Sequence, residues 1–222
     1  MGMHLKFSYT RFAQLKEIIS LRPEEVVDRS GATDGLMFHN NQLYFIDSWT
    51  GEVCSYHVDN GHLFCATTGL GHITFVVPIQ DEPQKYLISY HLNNKKVIGV
   101  LNWNSYETNR AARVNIYGNI YGNIRENTIA GGTVDPHGVL WFWTMETNVN
   151  PNFGNLYSFN PNLLPELVKK YDLPHNSMSN GIVWHLNNPT IFYYIDVGYQ
   201  RILSFTYNKA LGTIYRSEWF LP

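Results

Sequence analysis

Two short motifs hold the oxygen donors whose placement could do chemistry. Asp34 stands in Thr33-Asp34-Gly35 and Asn180 in Ser179-Asn180-Gly181, each just ahead of an apolar run. A carboxylate and an amide carbonyl are hard donors of the kind that Ca²⁺ and Mg²⁺ select. Asp-Gly and Asn-Gly are also ordinary turn pairs, in which the side chain bonds its own backbone. A cation site and a pair of turns are both open on this evidence alone. Other polar groups read more simply. Asp135-Pro136-His137-Gly138 is a hairpin turn by composition, and Asp47 and Asp196 close two similar aromatic runs as a repeated turn carboxylate. The nine histidines show no His-Glu-x-x-His or other metal spacing and read as scattered or hydrogen-bonded. No Gly-x-Ser-x-Gly elbow, phosphate-binding loop or dinucleotide fingerprint occurs.

The elements that would position Asp34 and Asn180 come in repeats. Leu43-Tyr44-Phe45-Ile46-Asp47, a turn around Gly51, and Val53 to His57 make one unit. Lys85 to Ser89 with Lys96 to Val100, Val139 to Trp143 with Gly154 to Phe159, and Ile191 to Asp196 with Ile202 to Tyr207 make three more. Each is an aromatic-rich strand, a polar turn and a second strand. The units begin near residues 43, 87, 140 and 191. A spacing of roughly 44 to 53 residues is the period of a β-propeller blade, a four-stranded antiparallel sheet. A β-sandwich also has many short strands, but repeats them at about 8 to 12 residues. Gly35 to Phe38, Gly132 to Asp135 and Gly181 to Trp184 precede the aromatic strands as innermost strands. On that reading Asp34 and Asn180 begin equivalent strands and converge on the axis.

Composition agrees and narrows the function. The 222 residues are 44% hydrophobic, 15% aromatic and only 15% charged, with 17 Gly and 10 Pro. That is the profile of an all-β chain of many short strands. A net charge of −2 without a basic block excludes an electrostatic nucleic-acid footprint or an anionic-membrane binder. The N-terminus offers no apolar run long enough for a leader or a transmembrane span, so a cytoplasmic location is expected. Cys54 and Cys65 are too few for a disulfide framework and read as packed thiols, with a single hairpin-bridging disulfide as the alternative. Residues 1–27 stand outside the repeat as an extension or closing segment. Within them Ala13 to Leu21 reads as a short helix or a displaced strand. Residues 28–222 form the propeller. Asn115 to Asn123 is a small tandem duplication expected in an inter-strand loop.

Several of these segments together resemble the regucalcin (senescence marker protein)/gluconolactonase family, its insect luciferin-regenerating branch above all. They are Asp34-Gly-Leu-Met-Phe38, Leu43 to Asp47, Phe75-Val-Val-Pro78, Leu101-Asn-Trp103, Val134-Asp-Pro-His-Gly138 with Thr144-Met145, Ser179 to Trp184 and Phe192-Tyr-Tyr-Ile-Asp196. The resemblance implies a six-bladed propeller that holds one divalent cation (Ca²⁺, Zn²⁺, Mn²⁺ or Mg²⁺) and hydrolyses lactones or related small esters. It places Asp34, where the family has Glu, and Asn180 as cation ligands. It puts Thr128 and Ala130 where the family has a substrate-binding Arg and Asn, and Asn148 where it has an acidic residue. The family's general-base Asp belongs to a segment expected beyond Pro222.

The repeat therefore predicts an all-β propeller with about four blades present, whereas the six-bladed type that the resemblance implies needs about 300 residues at roughly 50 per blade. Either the ring closes with four blades or the chain is a fragment. The expected function is a metal-dependent lactone or ester hydrolase, impaired by truncation and by substituted site residues. The alternative is a non-catalytic propeller that binds a small molecule, calcium or a protein.

Overall fold

A computed structural model describes residues 33–92, 95–119, 127–146, 155–159, 168–171, 179–209 and 213–219. Among them sixteen strands and no helix are found. The first blade is β1 (Thr33–His39), β2 (Gln42–Asp47), β3 (Glu52–His57) and β4 (His62–Thr67); the second is β5 (Gly71–Pro78), β6 (Lys85–Leu92), β7 (Lys95–Asn102) and β8 (Arg113–Asn119). The third is β9 (Asn127–Val134), β10 (Leu140–Glu146), β11 (Asn155–Phe159) and β12 (Val168–Tyr171); the fourth is β13 (Ser179–Trp184), β14 (Ile191–Asp196), β15 (Arg201–Asn208) and β16 (Thr213–Trp219). Each sheet takes four strands consecutive in sequence and joins them antiparallel in chain order. The fold is all-β and of the propeller type, with four blades described, as the repeat predicts.

Blades pack in the same order as the chain. β5 lies against both β1 and β2 on one side and β9 on the other, and β13 lies against β9 and β10. Three apolar seams follow, and they explain why the strands are apolar on both faces. Ile46, Val53, Tyr86 and Ile88 meet between blades one and two; Phe75, Leu87, Phe142 and Tyr157 between two and three. Trp141, Trp184, Phe192 and Phe205 meet between three and four. In β10 the alternation of side chains sends Trp141 and Trp143 to one seam and Phe142 to the other, so both faces of that strand are core. Close approach needs glycine at one point especially. A Cβ on Gly132 would stand 2.6 Å from the Phe75 ring, so the first strands of blades two and three could not keep their spacing.

Two expectations are corrected. Cys54 and Cys65 are not packed thiols: they form a disulfide, and no free cysteine is present among the described residues. The pairing of His57 with His62 sets a register that puts Cys54 directly opposite Cys65, with Cα atoms 4.1 Å apart. The bridge is buried with Phe45, on the side of the first blade away from the second. The tandem segment is not all loop, because Asn115 to Asn119 belong to β8. Ala13 to Leu21, residues 1–27 as a whole and Asn148 lie outside the described residues.

Candidate functional site: the starts of the first strands

Each blade's first strand is irregular near its start. In β1 Asp34 pairs with Ile46 and the next pair is Met37 with Tyr44, so Gly35 and Leu36 face a single residue, Phe45. In β13 Ser179 pairs with Asp196 and the next pair is Ile182 with Tyr194, leaving Asn180 and Gly181 opposite Ile195 alone. In β9 the extra residue is Ala130, and in β5 both His72 and Thr74 are extra. A bulge of this kind re-aims side chains and strengthens twist. Five bulges in four adjacent strands make that end the place where side chains leave the ladder.

The register also gives Asp34 and Asn180 matching places in the first and fourth blades. Thr33 pairs with Asp47 as Ser179 pairs with Asp196, so Asp34 and Asn180 occupy the same place in their blades, each followed by a glycine with positive φ. Asp34 is exposed and its Oδ1 accepts the Gly35 N–H at 2.7 Å. That bond is the turn interaction expected of Asp-Gly, and it leaves the other carboxylate oxygen to a ligand. Thr128 sits on β9 just before its bulge, buried, with a hydroxyl that has no hydrogen-bond partner.

Three carboxylates at the strand ends serve the fold. Asp47 Oδ1 accepts the N–H groups of Trp49 and Thr50 at 3.0 and 3.1 Å, which shapes the β2–β3 turn. Asp196, in the matching place, instead accepts Arg201 Nε at 2.9 Å while Tyr199 lies over the guanidinium at 4.1 Å. Asp135 accepts His137 N–H, Val139 N–H and Trp141 Nε1–H at 2.8, 2.9 and 3.1 Å. Burial nevertheless pushes its carboxyl above the usual carboxylate range.

Sequence reading missed a pair of histidines at this end. His72 and His91 have ring centres 5.3 Å apart, and burial first, then His72 and Lys96, push His91 down to about 4. No spacing rule finds them, because a bulge brings them together. A cavity of about 280 Å³, lined by Gln84, Lys85, Asn102, Trp103 and Glu107 among others, lies where β5 and β7 finish, away from these starts.

The donors fit a hard cation in kind, since both are oxygens, one of them anionic. Among the described residues the only trio of His, Cys, Asp or Glu ligand atoms in mutual reach is Glu52 with Cys54 and Cys65, whose sulfurs are joined to each other.

A family model described as the SMP-30/Gluconolactonase/LRE-like region matches residues 32–221. The chain belongs to this family. Solved structures agree on the fold. A luciferin-regenerating enzyme superposes with a TM-score of 0.74 at 22% identity over 87% of this chain. A calcium-binding regucalcin from Agrobacterium tumefaciens gives 0.64 at 16% over 86%. The periplasmic gluconolactonase of Pseudomonas aeruginosa gives 0.54 at 12% over 85% of this chain and 58% of its own. The chain spans 62% of the luciferin-regenerating enzyme and 61% of the regucalcin. No curated protein matches it by sequence. The SMP-30/gluconolactonase/LRE-like fold thus accounts for the four blades, their order and the shared end at which the first strands begin.

Proposed function

We propose that this member of the SMP-30/gluconolactonase/LRE-like family is a cation-dependent hydrolase of lactones or related small esters, weakened by the groups at its site. The observation that supports this reading is the equivalence of Asp34 and Asn180, each beside the bulge glycine of a first strand. These two residues would hold one divalent cation, drawn from Ca²⁺, Zn²⁺, Mn²⁺ or Mg²⁺. Such a cation, when bound, polarises a carbonyl and acidifies water. The chain's own residues set the limits. Thr128 supplies a buried neutral hydroxyl where the family resemblance expects an arginine, so a charged hydrogen bond worth about 1.5–3 kcal/mol is given up. Asn148 offers an amide where an acid is expected, which removes a carboxylate from substrate orientation.

Thr128 also favours a second reading, a propeller that binds a small molecule, calcium or a protein without turning it over. Hydrolysis of a sugar lactone, followed with EDTA and with each of the four cations, separates the two. The hydrolase reading expects cation-dependent turnover that falls at least tenfold in Asp34→Ala and in Asn180→Ala. Turnover untouched by both substitutions overturns the site. Calcium or lactone binding with no turnover under any cation overturns the hydrolase and leaves the binding propeller.

A further inference from the structure

We propose that His72 and His91 form a second cation site, built from two imidazole nitrogens and suited to Zn²⁺. It is separate in residues and in donor type from Asp34 and Asn180, and it does not depend on the hydrolase reading.

The backbone makes the pair. Gly71 pairs with His91 and Ile73 with Tyr90, so His72 is the extra residue between them and has nothing opposite it in the ladder. The bulge carries its ring to the His91 ring, the centres 5.3 Å apart and the planes at 60°. Two imidazoles sharing one tetrahedral zinc, at Zn–N of about 2.0–2.1 Å, have ring centres about 5 Å apart. The rings already stand at that spacing.

The free nitrogens point to a ligand as well. His72 Nδ1 lies 3.3 Å from the Ser48 carbonyl oxygen across the seam between blades one and two. A carbonyl only accepts, so Nδ1 carries the proton and Nε2 keeps its lone pair. Metal-binding histidines are ordinarily held in this way by an outer carbonyl or carboxylate. His91 Nε2 is buried and has no hydrogen-bond partner, a state that costs free energy until something binds it. His91 is neutral at pH 7, which is the ligating form. Imidazole donors prefer Zn²⁺ and similar borderline metals to Ca²⁺ or Mg²⁺. Lys96, directly opposite His91 on β7, adds positive charge beside the pair, so the remaining coordination positions would go to water or to an anion.

Calorimetric titration of the full chain with ZnCl₂ tests this. In the Asp34→Ala variant, which removes the other candidate cation site, the expected result is one zinc per chain, with affinity reduced at least tenfold when His72→Ala or His91→Gln is added. Circular dichroism shows whether the His91 variant keeps its strands. A readout on the unaltered protein stands beside it: zinc should shift the Nε2 resonances of these two histidines in long-range proton–nitrogen spectra. Zinc binding that neither substitution weakens, shifts confined to other histidines, or no binding at millimolar zinc would each overturn the proposal.

Discussion

The seam between the first two blades and the seam between the last two share an apolar core and differ in what is added to it. Between blades one and two, Gln42 Oε1 accepts hydrogen bonds from Tyr44, Ser55 and Ser105 at 2.5, 2.9 and 2.9 Å, and Ser105 comes from the second blade's β7–β8 loop. His57 Nε2 reaches the Ser105 carbonyl at 2.9 Å. Burial and the neighbouring Tyr86 push the Tyr44 hydroxyl upward, so it remains a donor. Between blades three and four the contacts are rings. Trp141 stands edge-on to Trp184 and Tyr207 at 5.7 and 5.1 Å, and Trp184 packs on Phe192 at 4.9 Å. Aromatic burial supplies magnitude, whereas a buried polar network has one satisfied arrangement and so supplies register. One chain uses both to solve the same packing problem.

The largest test of this contrast is Trp141→Ala. It removes a fully buried indole and should cost about 3–5 kcal/mol in denaturant unfolding. A loss below about 1 kcal/mol would mean that the aromatic seam contributes little. Gln42→Leu comes next, at about 1–3 kcal/mol, because three hydroxyls lose their acceptor inside the protein. If it unfolds at the same denaturant concentration as the parent, the polar seam adds nothing to stability. The smallest effect is a pH slope from Asp135, which ties the aromatic seam to a carboxylate through Trp141. Its folded carboxyl titrates above the ordinary 3.8. Between that value and the raised one, the folded protein holds more protons than the unfolded chain, so stability declines as pH rises through the window. Asp135→Asn should flatten that decline in unfolding curves recorded across acid pH.

What could be read in advance follows from which interactions are local. The period of aromatic strands and the matching of Asp34 with Asn180 depend on short segments, and both are present in the fold. The Asp135 turn is local too: Gly138 N–H reaches the Asp135 carbonyl at 3.0 Å as its composition predicts. The bulges are not written in residue type, since Gly35-Leu36, Ala130 and His72 share no chemistry; register makes them. His72 and His91 met only through such a bulge. The disulfide was misjudged because two cysteines say nothing of their alignment, which the β3–β4 turn decides.

That turn carries one more consequence. Asp59, Asn60 and Gly61 are exposed between strands that are bonded midway along their length through Cys54 and Cys65. A protease that cuts there severs the sequence without parting the molecule. The two pieces would migrate as one band on a non-reducing gel and as two after reduction. For the first blade, a break in the chain need not be a break in the body.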